Sequence, residues 1–252
     1  MFWTLLLPLV ALGAVILPYL SFYKWWAPAF KDLKIHPKTA PFSIQLKAGL
    51  YTSISFGVFA LCGGILDLLQ GAHFTQLYTQ SDSPFYLYEI MSLGIIFLIH
   101  DAYFYWSHRL LHLPWVYQHV HAWHHRFHNP SPFMAFAFHP VEAIIQIGII
   151  PFLAILFPIH QSILVFFAVF LLLMSVYGHL GFELRANKKG VFQLFNTAIH
   201  HHQHHQYFEC NYGIYFNFWD QLMKTNHKTY PEAFFAFGRQ LRKKKTQDSQ
   251  SS

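Results

Sequence analysis

The segment HRLLHLPWVYQHVHAWHHRFH, residues 108–128, places seven histidines in 21 positions. The chain has 19 histidines in all. His36, His73, His160 and His227 are scattered and read as ordinary. The other fifteen fall in two zones, 100–139 and 179–205. Their spacing is regular. His108 and His112 stand four apart in HRLLH. His121, His124 and His125 form HAWHH, and His201, His204 and His205 form HHQHH. Residues three and four apart share one face of a helix, so each group can aim two or three imidazoles at a common point. Neutral imidazole is a ligand for iron, zinc and copper. Eight such side chains exceed what one metal needs, so two metals can share them. Histidines that merely tolerate a membrane interface are the bland alternative, and a His-rich loop of a metal transporter is another. Such tracts usually lie in flexible polar loops, whereas these are interleaved with Trp, Phe, Leu and Tyr, as in packed helices.

Asp101 lies seven residues before His108 and eleven before His112, close to two and three helical turns, and so shares their face. It can accept the second ring N–H of a liganding histidine and fix its tautomer. Equally, it can be a carboxylate exposed to water at a helix end.

The elements that must position these side chains are apolar. The chain is 54% hydrophobic and 11% charged, and it contains 28 Phe. Soluble domains carry about 25% charged residues. Five apolar blocks stand out, at 1–23, 48–70, 86–107, 141–157 and 161–178. About 20 helical residues cross a hydrocarbon core. The first three blocks reach that length. The last two are shorter and joined at FPIHQS, which reads as a hairpin that crosses or dips deeply. If the chain crosses at each block, all 17 Lys and Arg fall on one side. The positive-inside rule makes that side cytoplasmic, with the N-terminus outside. Block one lacks the marks of a cleaved signal peptide and is expected to be retained. The tail RQLRKKKTQDSQSS is expected to be disordered. The net charge of +6 is confined to loops between apolar blocks, which excludes a nucleic-acid footprint. Cys62 and Cys210 lie far apart, one of them inside an apolar block, and no disulfide framework is expected. The fold expected is therefore all-α, an integral membrane helical bundle of about four to five transmembrane helices. The last two form the short hairpin, and a cytoplasmic helical His-rich cap completes the fold.

With three histidine boxes in order, the sequence resembles the sterol desaturase and fatty acid hydroxylase superfamily of membrane di-iron enzymes. HDAYFYWSHRLLH resembles the first-box helix. HRFHNPSPFMAFAFHPVEA resembles the segment after the second box, and AIHHHQHHQYFECNYGIYFNFWDQLMKT the third box with its NYG and WD elements. Within the superfamily the sequence is most similar to the sterol C5-desaturase (lathosterol oxidase) branch. The resemblance runs from Asp101 to Thr225. It implies an N-terminal transmembrane region over 1–99, a catalytic domain over 100–227 that includes the hairpin 141–178, and a polar basic tail over 228–252. It implies that His108, His112, His121, His124, His125, His201, His204 and His205 ligate metal, and that His179 in VYGHLGFE does so too. His139 in FHPVE, with His100, His200 and Asp101, are candidates for a further ligand or for support behind the ligands. His119, His128 and His202 have weaker claims. Phe133, Phe136 and Phe138 are candidates for lining a substrate entrance, against a role in ordinary packing.

The implied cofactor is a centre of two Fe. No haem-attachment motif or dinucleotide fingerprint is present, so the resemblance implies an external electron donor, cytochrome b5 or a ferredoxin with an NAD(P)H reductase. The implied substrates are O2 and a membrane lipid, with sterol C5(6) desaturation as the sharpest form. The implied location is a multi-pass membrane protein, in the endoplasmic reticulum of a eukaryote or the inner membrane of a bacterium, with the boxes on the cytoplasmic side. Hydroxylation of a sterol, fatty acyl, sphingoid or carotenoid lipid by the same site is the nearest alternative. A His-rich metal-binding or transport protein is the alternative of another class. Transport fits less well, because spans 1–23 and 161–178 hold no ionisable residue.

Overall fold

The computed structural model describes residues 1–17, 30–35, 41–80, 86–127, 131–184 and 194–250. Residues 18–23 of the first apolar block, His128, and the cations Lys24, Lys38, Arg185, Lys188 and Lys189 lie outside the described residues. The described chain is helical, with isolated β-bridges and no strand of its own. The helices are α1 (Phe2–Leu17), α2 (Phe42–Gly71), α3 (Tyr86–Leu111), α4 (Pro114–Val116), α5 (Ala122–His125), α6 (Pro140–Leu156), α7 (Gln161–His179), α8 (Ala198–Tyr207), α9 (Phe218–Leu222) and α10 (Tyr230–Gln250). A π-helical turn, Tyr117–His121, joins α4 to α5.

Three of these helices, over Phe42–Gly71, Leu87–Leu111 and Gln161–His179, are long and apolar enough to cross a membrane; α6 is apolar and shorter. Their packing follows helical periodicity. The buried residues of α2 are Ala48, Thr52, Ser55, Phe59, Gly63 and Leu66, spaced by three and four. Its opposite face exposes Leu46, Leu50, Ile54, Leu61, Ile65 and Leu68. An apolar outer face of that extent is stable against hydrocarbon. One core, with Phe59, Ile96, Phe136, Ile147, Phe167 and Leu172 among its members, ties α2, α3, α6 and α7 together.

The helix ends sort into two sets. At one end Asp67, near the end of α2, accepts the backbone N–H groups of Trp3 (3.0 Å) and Thr4 (2.9 Å). At the same end Gln76 N–H donates to the Ala154 carbonyl (2.8 Å), and Tyr88 Oη donates to the Pro158 carbonyl (2.5 Å). At the other end Ile35 N–H donates to the Gly181 carbonyl (2.9 Å) and Glu183 N–H to the Leu33 carbonyl (2.8 Å). The histidine boxes lie at this second end, with Lys31, Lys34, Arg109 and Arg126 close by in sequence. Lys47 lies on α2, which begins six residues before the apolar block that announced it.

The tail departs from expectation. Residues 230–250 form α10 rather than a disordered segment. Tyr230, Phe234 and Leu241 are buried and Phe237 is partly so. Positions 230, 234, 237 and 241 repeat by four, three and four, an apolar stripe of which Tyr230, Phe234 and Phe237 pack with Ile199 of α8.

Gly63 is where α1 crosses α2. A Cβ there would stand 2.3 Å from the Trp3 carbonyl oxygen and 2.9 Å from Thr4 N. Both are backbone atoms, so no rotamer change relieves the clash. Gly63→Leu is expected to destabilise the protein by about 1–3 kcal/mol, read as a lowered thermal midpoint in detergent. Gly64→Leu, whose Cβ would meet only the Thr4 side chain at 3.5 Å, is expected to have the smaller effect.

Candidate metal centre

Nine of the expected ligands gather into two groups. His108, His112, His121, His125 and His204 form one, and His124, His179, His201 and His205 the other; within each, the ring nitrogens lie within 4.8 Å of one another. Successive residues on a helix point about 100° apart. The paired histidines of HAWHH and HHQHH therefore divide between groups. His125 and His204 serve the first, His124 and His205 the second. The pairs His121/His125 and His201/His205, each four apart, keep one face and stay together. α3 delivers His108 from its last turn and His112 from just beyond it. α7 delivers His179 as its last residue. Gly178 leaves room for the third box, since a Cβ there would stand 3.0 Å from the His201 ring.

Hydrogen bonds on the far side of the rings fix the tautomers. His108 Nδ1 donates to the Tyr212 carbonyl (2.8 Å), His204 Nδ1 to the Cys210 carbonyl (2.7 Å) and His179 Nδ1 to the Ser175 carbonyl (2.8 Å). His121 Nδ1 donates to Glu142 Oε1 (2.8 Å). A carbonyl or carboxylate oxygen only accepts, so in these rings Nδ1 holds the proton and Nε2 presents a lone pair. Yet His108 Nε2 lies 3.1 Å from His121 Nε2. The series continues with His125 to His121 at 3.0 Å and His204 to His125 at 3.1 Å. In the second group His179 stands 3.3 Å from His124 and 3.2 Å from His201, and His205 3.1 Å from His201.

Two facing lone pairs repel. A cation at their common point reverses the sign of the contact. Metal–nitrogen bonds of about 2.0–2.1 Å place neighbouring ligand nitrogens roughly 2.9–3.4 Å apart, the separation seen here. His112 Nε2 is buried without a partner, as a ligand atom would be. Burial, the largest cause, and the neighbouring histidines hold His112, His121, His124, His125, His201, His204 and His205 well below the ordinary imidazole value. They are neutral at physiological pH and ready to ligate. The residues present fit two metal ions held by nitrogen alone. Cys210 belongs to neither group and contributes its carbonyl, which accepts from His204 Nδ1.

The remaining candidates lie outside both groups. Asp101 meets no ring N–H. Its Oδ1 accepts the backbone N–H groups of Tyr215 and Phe216 (both 3.2 Å). His100 is fully buried, among Tyr103, Phe104, Phe167 and Tyr215. His139 caps α6, accepting from Val141 N–H. His200 sits with Nε2 3.3 Å from Asp220 Oδ2. His119 is exposed, with its ring on the Trp115 carbonyl, and His202 is buried on α8. Glu142, which holds the His121 ring, was not singled out from the sequence. The available signal was a carboxylate placed within the first turn of an apolar helix, just after FHP.

Asp220, in the WD element, supports the loop that follows the third box. It accepts Tyr212 N–H (2.9 Å), Gly213 N–H (2.7 Å) and the Thr225 hydroxyl (2.7 Å). Gly213 cannot be replaced without collision, because a Cβ would lie 2.6 Å from Asn196 Nδ2 and 2.9 Å from Asp220 Oδ2. Asp101 and Asp220 thus hold the two halves of 212–216 and turn the Tyr212 carbonyl onto His108.

A cavity opens from both groups. His108 and His121 of the first and His124, His179 and His201 of the second lie in its wall. It continues into the apolar core past Phe59, Phe136, Phe138, Ile147, Leu171 and Leu172. Phe136 and Phe138 therefore line it. Phe133 faces a separate groove beside Leu46, Leu50 and Phe56.

With this geometry in view, comparison with known proteins gives one answer. The model of the fatty acid hydroxylase family matches residues 93–225, more than half of the chain. The chain belongs to the fatty acid hydroxylase family. Its curated relatives include a Delta(7)-sterol 5(6)-desaturase of Leptosphaeria maculans, 32% identical over 203 residues, which are 79% of this chain and 54% of the relative. A Delta(7)-sterol 5(6)-desaturase of Gibberella zeae is 30% identical over 209 residues, covering 80% and 62%. The Lathosterol oxidase of Homo sapiens is 33% identical over 163 residues, covering 62% and 52%. The chain spans about half the length of the curated relatives it matches. No solved structure matches it. The family match begins inside α3 and ends at Thr225, the residue that donates to Asp220, so it spans all nine gathered histidines and Glu142.

Two predictions follow from the support behind the rings. His204→Ala and His201→Ala are each expected to lower bound metal by about one equivalent, and the double variant by about two, measured by elemental analysis of the purified protein. Retention of both equivalents in either single variant would count against two separate groups. Asp220 gives a pH signature. Burial alone would raise its carboxyl, but His200, Thr225 and Gly213 outweigh that and hold it at about 2, below its ordinary 3.8. Its stabilisation, of order 2 kcal/mol, is fully present above about 3.8 and lost as pH falls toward 2. The thermal-midpoint gap between wild type and Asp220→Asn is expected to narrow over that window.

Proposed function

We propose that the protein is a membrane non-haem di-iron oxidoreductase that uses O2 and external electrons to desaturate a lipid, and that the lipid is a Δ7-sterol dehydrogenated at C5–C6. One observation carries the reading. Two all-histidine groups, with lone pairs turned inward, share the wall of a cavity that runs into the apolar core between membrane-length helices. The names of the relatives point to the sterol.

The reaction balances as substrate plus O2, two electrons and two protons giving the alkene and two waters. The two irons, held by His108, His112, His121, His125 and His204 on one side and His124, His179, His201 and His205 on the other, supply the oxidising power that an unactivated C–H bond demands and no side chain has. The chain's own contribution is geometry. Tyr212, Cys210 and Ser175 carbonyls and Glu142 hold the rings. Phe59, Phe136, Leu171 and Leu172 exclude water and seat the hydrocarbon. A substrate dissolved in the bilayer reaches this cavity without first crossing into water.

The reaction consumes two electrons, and cytochrome b5 or a ferredoxin, with its NAD(P)H reductase, is the donor this reading calls for. The cationic end of the bundle, which bears the histidine boxes, is then the cytoplasmic end by the positive-inside rule.

The test is a lipid profile by mass spectrometry from sterol-producing cells that express either wild type or a His124→Ala, His204→Ala double variant. A sterol two hydrogens lighter, dependent on wild type and with its new double bond at C5–C6, is expected. A product heavier by one oxygen would instead establish hydroxylation by the same site, and no wild-type-dependent lipid would remove the enzymatic reading.

A further inference from the structure

Helix α6, PVEAIIQIGIIPFLAIL, carries two polar side chains in 17 residues, Glu142 and Gln146. They are four apart and share one face. Both line the cavity that opens from the histidine groups. Glu142 is fully buried. Its Oε1 takes the His121 ring N–H, and its Oε2 is buried with no partner. Gln146 has no hydrogen-bond partner among the described residues. Of the other polar groups in the wall, His124 Nδ1 and His200 Nδ1 are likewise buried without a hydrogen bond, and three side chains are occupied. Ser175 Oγ donates to the Leu171 carbonyl, Tyr177 Oη to Glu183, and Thr197 Oγ1 accepts from His200 N–H and Tyr230 Oη.

An unmet, fully buried carboxylate oxygen on an apolar helix is costly unless something in the cavity pairs with it, and the half-buried Gln146 amide stands one helical turn away on the same wall. The pair defines what that is. A carboxylate only accepts, and an amide both donates and accepts. A hydroxyl meets both, giving its hydrogen to Glu142 Oε2 and receiving one from Gln146 Nε2. A plain hydrocarbon would leave both groups unpaired.

We propose that Glu142 Oε2 and the Gln146 amide form a hydroxyl-recognition subsite for the lipid alcohol. The proposal rests on the reading that this cavity seats the lipid substrate. The subsite also sets reach. The same carboxylate that holds the alcohol holds the His121 ring through its other oxygen, so the alcohol lies one carboxylate and one imidazole from the metal position. Carbons a few bonds from the hydroxyl then face the metal. In a 3-hydroxysterol, C5 is three bonds from that oxygen. The subsite turns sterol recognition into choice of carbon.

Gln146 tests this without touching a histidine. Equilibrium binding of tritiated lipids would be measured on the full chain in nanodiscs, loaded with metal. The probes are a Δ7-sterol and its 3-deoxy analogue, with a long-chain alcohol and the matching alkane in parallel. Wild type is expected to prefer each hydroxylated probe by at least about tenfold, which is about 1.4 kcal/mol. Gln146→Leu is expected to reduce the preference to about twofold, with deoxy-analogue affinity and bound metal unchanged. Gln146→Met, apolar and of similar length, repeats the test if the leucine variant fails to fold. Equal binding of hydroxyl and deoxy probes by wild type, or a preference that survives both variants, overturns the subsite even if the sterol is desaturated. A preference confined to the long-chain alcohol leaves the subsite standing and overturns the sterol reading. Binding of no probe overturns both.

Discussion

Facing lone pairs are the constraint on which the rest of this structure turns. His108 and His121 each hold their proton on Nδ1, so the 3.1 Å between their Nε2 atoms is a repulsive contact without a cation. The chain must impose that arrangement before metal arrives, and it does so from behind. His108, His121, His179 and His204 are each fixed by an acceptor, the acceptors by a loop or helix, and the 212–216 loop by buried carboxylates. Asp220 takes the N–H groups of Tyr212 and Gly213, and Asp101 those of Tyr215 and Phe216. Without them the Tyr212 carbonyl has no reason to face His108. Burial then keeps the imidazoles neutral, so the same packing that costs polar groups their water also keeps them available as ligands.

The membrane-length helices answer a different demand. They end where ligands are needed. α3 stops at Leu111, with His108 one turn earlier and His112 just past the end; α7 stops at His179 itself. α6 starts at the same level and lays Glu142 against His121. The short box-two segment then has to turn back over these ends. A π-helical turn at Tyr117–His121 puts His119 outward and His121 inward before α5 sets His124 and His125 toward separate groups. π-turns are uncommon and tend to sit at functional sites.

Much of this was legible in the sequence. HxxxH and the two HxxHH patterns marked eight of the nine gathered histidines because helical geometry puts them on shared faces, the ninth, His179, came from the family resemblance, and the apolar blocks located α2, α3, α6 and α7 within a few residues. The division of neighbouring histidines between two groups was not legible, since it depends on which face of each short helix meets the others. Asp101 shares a face with His108 as expected, yet its partners come from residues 114 and 115 positions away, beyond any local pattern. Phe133, Phe136 and Phe138 looked equivalent in sequence, but the 3-10 turn at Pro132–Met134 sends the first to a different groove. In the tail, a run of Lys and Arg masked the stripe Tyr230, Phe234, Phe237, Leu241, whose spacing was readable all along.

On the function proposed above, what separates desaturation from hydroxylation would lie in the cavity rather than in the histidine groups. It has to lie in where the second hydrogen stands after the first is removed. A flexible acyl chain can swing its neighbouring carbon away from the metal, and oxygen transfer then competes. A fused ring system cannot, because its vicinal hydrogens are fixed relative to each other and to any group anchored elsewhere on the skeleton. An anchor close to the metals therefore does more for a rigid substrate than for a flexible one. Glu142 sits at that distance, and the apolar wall of Phe59, Phe136, Leu171 and Leu172 lies beyond it, where the rest of a rigid skeleton would extend. On the function proposed above, the short link between one carboxylate and one ring of the first histidine group would favour a rigid sterol skeleton over a flexible chain.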